Sequence, residues 1–258
     1  PDATKVGEGT VRRGSATCPV CGYTTPVASV RKQLKARRGG AADARLFCVV
    51  TTRPGQQGRF YRLPTERDLE AVRKAAEELE RRKAEHTGEL SLVPDESYPD
   101  ESGAGALSSS VLYGPKIWGD IFTPRQSLAL ATLVRLVKEA GTIMAADHNA
   151  EIVVPVQTCL ALSFDRVADL ANSFCGWTLD TQCTKHLFAR QAIPFVWNFA
   201  EGIPIGDSAG SWSVVVERFE NITDSIPDDL MIGLNQQANA KSIPLPDDAA
   251  HAFITDPP

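Results

Sequence analysis

The chain has 258 residues, of which 43% are hydrophobic and 23% are charged, an ordinary globular composition that suits one large or two small domains. Its net charge of −5 excludes a protein that binds polyanions through bulk charge alone. Six scattered cysteines exclude a secreted disulfide framework, and no apolar run reaches the roughly 18 residues of a membrane span. No signal peptide is visible, so we expect a cytoplasmic protein.

Residues 1–62 are predicted to form a β-rich module, because short β-like runs at residues 46–50 and 59–62 lie among Gly, Thr and Arg. Within this module, residues 11–45 carry eight Lys or Arg and one acidic residue, Asp43. This asymmetry indicates a local contact with nucleic acid, and a solvated basic loop explains it equally well.

A pair of cysteines, Cys18 and Cys21, lies in a Cys-Pro-Val-Cys-Gly sequence. Two thiolates at this spacing can hold one Zn²⁺ from a tight turn, and the following glycine relieves the backbone. The pair supplies two of four ligands, and no His precedes His86. We therefore predict half of a zinc ribbon in this chain, with zinc as the metal. A metal-free turn or a redox pair is the alternative.

Residues 63–116 are predicted to contain a charged surface helix followed by a linker. Thr65 can cap the helix, and Asp68 completes a capping box three residues later. A narrow apolar stripe, flanked by acidic and basic residues spaced i,i+4, is typical of a helix that packs on one face only. Residues 87–116 are rich in Gly, Pro and Ser, which predicts a loop.

Residues 117–228 are predicted to form a mainly helical insertion. Thr123 and Pro124 suit the start of a buried helix, Gln126 completes its capping box, and Gly141 is placed to end it. Three further helices are predicted, near residues 151–174, 184–192 and 210–221.

In the last segment, residues 229–258, a short strand predicted at residues 251–255 runs into Asp256, Pro257 and Pro258. This order of strand and motif predicts the start of a methyltransferase sheet. In enzymes that methylate an exocyclic amine, such a strand end accepts hydrogen bonds from the amine and aligns its nitrogen with the methyl donor. An aromatic residue that stacks on the flipped base follows in those enzymes. The sequence given stops at Pro258, so we expect this chain alone to be inactive. A tail-like turn is the alternative.

Asn239 precedes the loop that leads to this strand. In methyltransferase folds this position often carries an acidic or amide group that bonds the adenine of S-adenosylmethionine. Asn239 is therefore a candidate cofactor ligand, and a turn asparagine explains it equally well.

Taken jointly, the motifs of the chain resemble the middle of the large bacterial and archaeal adenine-specific DNA methylases that contain a zinc ribbon. The motifs that carry this resemblance are Gly9-Thr10, Cys18-Pro19-Val20-Cys21-Gly22, Tyr61-Arg62, Trp118-Gly119-Asp120, Phe122-Thr123-Pro124-Arg125-Gln126, Arg190-Gln191-Ala192, Trp197 with Phe199-Ala200-Glu201, Ser211-Trp212 and Thr255-Asp256-Pro257-Pro258.

This resemblance implies an α/β fold in which a Rossmann-like methyltransferase sheet is interrupted by a zinc ribbon and a helical insertion. It implies S-adenosylmethionine as methyl donor and adenine N6 in DNA as acceptor. The partners that it implies are DNA and the other components of a restriction or anti-phage system. In the family, a Gly-rich cofactor loop and the first cysteine pair precede the region that this chain resembles.

Two other functions fit the residues. A non-enzymatic module, built from the zinc ribbon and the helices, would bind nucleic acid or protein. A methyltransferase that acts on RNA or on protein glutamine would use a similar Asn/Asp-Pro-Pro element.

Overall fold

A computed structural model describes residues 9–98, 109–189 and 193–227, together with isolated positions between 229 and 252. In these residues the fold is mixed α/β, with helices and small antiparallel sheets. The chain divides into two compact units, Pro1–Asn221 and Ile222–Pro258. Apart from the end of the last helix, the elements described below belong to the first unit.

The N-terminal part is a three-stranded antiparallel sheet followed by a helix that the sequence analysis did not predict. Its elements are β1 (Val11–Arg12), β2 (Ser15–Thr17), β3 (Thr24–Thr25) and α1 (Val27–Ala36). Val27, Val30 and Leu34 recur at helical spacing, and Val30 is buried. The helix ends where Gly39, with a φ of +88°, donates its N–H to the carbonyl of Leu34 at 3.0 Å.

A β-hairpin follows, formed by β4 (Val49–Arg53) and β5 (Gln56–Arg62). The prediction of two strands here is confirmed, although the first lies further along the chain than residues 46–50. Arg53 pairs with Gln56 across a turn of Pro54 and Gly55, whose φ is +71°. Proline followed by a glycine of positive φ suits a type II turn.

Helix α2 (Glu66–Glu85) confirms the predicted surface helix and its capping box. The N–H of Thr65 donates to Asp68 Oδ2 at 2.7 Å. One pair with the predicted i,i+4 spacing joins Arg82 to Glu78, with Arg82 Nε 2.7 Å from Glu78 Oε1. Arg81 pairs with both Glu78 and Glu85.

Two long helices, α3 (Pro124–Asp147) and α4 (Ala150–Leu170), pack against each other. The predicted start of α3 is confirmed, because the Oγ1 of Thr123 accepts from the N–H of Gln126 at 3.2 Å. The prediction that Gly141 ends α3 is wrong. Gly141 is buried beside the side chain of Gln157 on α4, where its missing Cβ permits close helix packing.

Two hydrophobic clusters form the core. The buried residues of the first are Tyr98, Ile121, Phe174, Cys175 and Leu187, and those of the second are Leu130, Leu133, Val167 and Val215. Helix α5 (Trp212–Asp224) contributes Val215, which confirms a helix near the predicted residues 210–221. Where they are described, residues 87–116 form a loop with one 3₁₀ turn, and this loop contributes to the core, because the hydroxyl of buried Tyr98 bonds Ser110 Oγ at 2.9 Å.

Short elements complete the described fold. They are the 3₁₀ turns Ser109–Tyr113, Trp118–Ile121 and Leu187–Ala189, and the strands β6 (Trp177–Thr178) and β7 (Cys183–Thr184). Of the helix predicted near residues 184–192, the described residues form only the 3₁₀ turn Leu187–Ala189.

The sheets of the described residues are two- and three-stranded and antiparallel. The segment 229–258, which contains the strand predicted at residues 251–255, is described only at isolated positions, so the Rossmann-like sheet stays a prediction. None of the helices that the structure describes is long and apolar enough to cross a membrane.

Candidate functional site

Cys18 and Cys21 lie together in the turn that joins β2 to β3. The N–H of Gly22 donates to the carbonyl of Cys18 at 3.0 Å, and the N–H of Cys18 donates to the carbonyl of Tyr23 at 2.8 Å. Gly22 has a φ of +74°, a conformation that favours glycine. The turn therefore holds both thiols in one tight loop, as the sequence predicts.

The electrostatics of this turn favour the thiolate form of Cys18. Hydrogen bonds from the backbone N–H groups of Cys21 and then Val20 lower the pKa of the Cys18 thiol below its ordinary value. Cys21 is exposed, and Val20 between them is 93% exposed. An accessible thiolate is the form of cysteine that binds a metal ion.

The ligand set for zinc is incomplete within the described residues. Among residues 9–98, 109–189 and 193–227, no group of three or more His, Cys, Asp or Glu side chains could hold a metal ion. Cys18 and Cys21 fit zinc as two of its four ligands, and the other two would come from elsewhere.

Positive charge is concentrated in residues 9–62, which carry eleven Lys or Arg and the single acidic residue Asp43. Arg37 pairs with Asp43 at 2.7 Å, and Arg38 pairs with Asp120 at 3.0 Å. Among the residues that the structure describes, seven cations of this segment have no ion-pair partner: Arg13, Arg31, Lys32, Lys35, Arg45, Arg53 and Arg59. The surface therefore has unneutralised charge for an anionic partner.

Two motifs of the resemblance contain polar residues that join elements of the fold. Arg62 donates to both carboxylate oxygens of Asp68, at 2.6 and 2.9 Å, and so fixes the hairpin to the start of α2. Asp120 accepts from Arg38 at 3.0 Å and from the backbone N–H of Lys116 at 2.8 Å. These residues hold the fold together.

Two further motifs of the resemblance meet at the start of α3. The Glu201 carboxylate accepts from Arg125 Nη2 at 2.7 Å and from Thr123 Oγ1 at 3.1 Å. The Glu201 side chain is 18% exposed, and that of Arg125 is 31% exposed. Gln126, which is buried, uses its Oε1 to accept from the N–H of Thr123 at 2.9 Å. This cluster also has a structural role, as a joint between α3 and the chain near residue 200.

One polar cluster, around His186, is not indicated by any sequence motif. His186 Nδ1 lies 2.8 Å from Asp169 Oδ2, and its Nε2 lies 2.9 Å from Arg166 Nη2. Since a guanidinium can only donate, Nε2 is the acceptor in this arrangement and Nδ1 is the atom that faces Asp169. Both ring nitrogens are therefore occupied. Nearby Cys175 is no nucleophile either, because burial raises the pKa of its thiol to about 11.

Of the residues predicted to hold the base and the cofactor, the structure describes only Asn239. Asn239 is exposed. Asp256, Pro257 and Pro258 lie outside the described residues. The described structure thus places Cys18 beside Cys21 and gives no geometry for methyl transfer.

No known protein-family profile matches the chain, and no similar curated protein or solved structure is found.

Proposed function

We propose that this chain is a region of an S-adenosylmethionine-dependent DNA methyltransferase that modifies an exocyclic amine, adenine N6. The observation that carries the proposal is the sequence Thr255-Asp256-Pro257-Pro258 after a short apolar run. An exocyclic amine is a poor nucleophile, because its lone pair is delocalised into the base. An acceptor side chain that holds its N–H groups is therefore the main catalytic requirement of the protein.

Asp256 has the acceptor role in this proposal, and the carbonyl of Pro257 is a second acceptor. S-Adenosylmethionine would supply the methyl group as an electrophile. Asn239 is its proposed adenine contact in this chain. The remaining contacts to the donor are proposed to come from other parts of the enzyme, as the resemblance implies.

The charge of the described residues supports DNA as the substrate. Residues 9–62 carry unneutralised Lys and Arg side chains although the whole chain is acidic. Phosphate contacts from such side chains supply most of the sequence-independent affinity of DNA-binding proteins. The enzyme would thus hold its substrate through this segment and act on the base elsewhere.

Zinc has a structural role in the proposal. Cys18 and Cys21 would supply two thiolates, and a second cysteine pair would complete the tetrahedron. A closed zinc site would fix the β2–β3 turn to the rest of the enzyme. The proposed partners of the enzyme are the other components of a restriction or anti-phage system.

The test is methyl transfer from a labelled donor to DNA by the enzyme that contains this chain. Asp256→Ala should reduce transfer roughly 100-fold or more, because misplacement of the amine by about 1 Å has an effect of that size. Asp256→Asn keeps an acceptor oxygen and should retain more transfer than the alanine variant. Asp229→Ala, an exposed acid, is the matched control. Undiminished transfer by Asp256→Ala would refute the role of Asp256.

The second candidate function is a non-enzymatic module that binds nucleic acid, and the same basic segment favours it. DNA binding that survives deletion of residues 231–258, together with an absence of methyl transfer, would favour this candidate. Comparison of DNA, RNA and protein acceptors in the transfer assay tests the choice of DNA within the leading proposal.

A further inference from the structure

The hairpin β4–β5 is little covered by the rest of the described structure. Its two strands pair with each other, and no other helix or strand among the described residues packs extensively against them. The residues nearest the turn, Thr52, Arg53, Gln56 and Gln57, are exposed. A two-stranded ribbon is only marginally stable by itself. A hairpin with so few contacts to the rest of the described structure would therefore be stabilised by a bound partner.

The charge of the hairpin is entirely positive. Residues 44–65 contain four arginines and no acidic residue. Arg62 is engaged by Asp68, whereas Arg53 and Arg59 have no ion-pair partner within the described part of the chain. The partner that fits this surface is therefore anionic.

The Arg53 side chain is already ordered in the unbound hairpin. Its guanidinium lies over the Phe60 ring, 3.9 Å from the ring centroid, in a cation–π contact. A side chain held in place before binding loses less conformational entropy when it contacts a ligand. Arg53 is thus positioned for binding, whereas a freely rotating surface lysine is not.

We propose that the hairpin β4–β5 binds double-stranded DNA, with Arg53 and Arg59 contacting backbone phosphates. The choice of DNA rests on the proposed function. Two strands lie about 4.8 Å apart, and the major groove of B-DNA, about 12 Å wide, admits such a ribbon. The deep, narrow major groove of A-form RNA does not. Gln56 and Gln57, at the end of the ribbon, carry amides of the type that bonds base edges.

The test is binding of the full 258-residue chain to a duplex DNA of about 30 base pairs, measured by fluorescence anisotropy at several salt concentrations. The variant Arg53→Gln/Arg59→Gln should weaken binding roughly tenfold for each arginine at about 0.1 M salt. It should also reduce the slope of log K against log salt by about two, because each phosphate contact contributes about 0.9. The control Lys138→Gln/Arg218→Gln removes two exposed cations from α3 and α5 and should change affinity less than about threefold.

Three outcomes would overturn the inference. They are equal weakening by both double variants, an unchanged affinity of the hairpin variant, and tighter binding of duplex RNA than of duplex DNA. Circular dichroism of each variant checks that the fold is retained. The variant Arg53→Lys/Arg59→Lys keeps both charges but loses the ordered contact of Arg53 with Phe60, so it should recover the salt slope of the unchanged chain and only part of its affinity.

This experiment is independent of methyl transfer. If the binding depends on the hairpin but the enzyme that contains this chain transfers no methyl group, the proposed function fails and the inference stands. If methyl transfer depends on Asp256 but the hairpin variant binds DNA normally, the inference fails and the proposed function stands.

Discussion

The joint between Arg125 and Glu201 allows a quantitative test of what holds the helical region together. Glu201→Ala removes a carboxylate that accepts from Arg125 at 2.7 Å and from buried Thr123 at 3.1 Å. A hydrogen bond to a charged group contributes about 1.5–3 kcal/mol, and a buried hydroxyl left without an acceptor adds about 1 kcal/mol. We expect Glu201→Ala to lower the free energy of unfolding by about 3 kcal/mol.

Arg125→Ala should cost about 2 kcal/mol, since Thr123 keeps its bond to Glu201 in that variant. The double variant should cost about 3.5 kcal/mol, which leaves a coupling energy of about 1.5 kcal/mol between the two side chains. Urea denaturation of the four proteins, followed by circular dichroism, measures these differences.

The matched control is the exposed pair of Arg135 and Glu139 on α3, whose side chains are 54% and 50% exposed. Because solvent screens such a pair, its coupling energy should be about 0.3–0.5 kcal/mol. A coupling energy for Arg125 and Glu201 that is no larger than this would refute the structural role assigned to the joint.

Three more predictions concern the N-terminal part and the core. In chelator-treated protein near neutral pH, iodoacetamide should modify Cys18 at least ~100-fold faster than Cys175, because the pKa of Cys18 is lowered and that of Cys175 is raised to about 11. Peptide mass spectrometry measures both rates, and equal rates would contradict the buried position of Cys175. Gly114→Ala should destabilise the protein by about 3 kcal/mol in urea unfolding, because φ is +105° at Gly114 and a Cβ would overlap the backbone of α1. A change below about 1 kcal/mol would mean that α1 does not pack against Gly114. Hydrogen bonds from Arg62, and then from Thr65, lower the pKa of Asp68 well below its ordinary range, so the stability that this carboxylate contributes is present above the unfolded pKa of about 3.9 and is lost as the pH falls towards the lower folded pKa. Arg62→Gln should therefore move acid unfolding, followed by the circular dichroism signal of the helices, to higher pH. An unchanged acid titration would contradict the pairing.

The features that the sequence predicted well depend on residues close together in the chain. The capping boxes of Thr65 with Asp68 and of Thr123 with Gln126 span three residues, so local hydrogen bonding alone determines them. The Cys18 turn is local in the same way. These features fix where helices begin and where two thiols meet, without any knowledge of the tertiary fold.

The features that it missed depend on distant residues. Glu201 meets Arg125 across 76 positions of the chain, and no periodic pattern announces such a contact. Glycine is typical of helix ends, but Gly141 lies inside α3, where it packs against Gln157 on the next helix. The contact of His186 with Asp169 joins residues 17 positions apart on different elements, so no local motif indicates it. Helix α1 has a usable apolar spacing, but its single buried residue gives a weak signal.

The orientation of the Glu201 joint has a consequence for how related sequences can vary. The carboxylate lies beside the first turn of α3, where the helix dipole favours negative charge, and it also accepts from Thr123. Arg125 itself lies in this first turn, so an exchange of the two charges would leave one charge of each sign beside the helix end, but it would leave the threonine hydroxyl without its acceptor. Divergent homologues should therefore change positions 125 and 201 together, by losing both charges and not by reversing them.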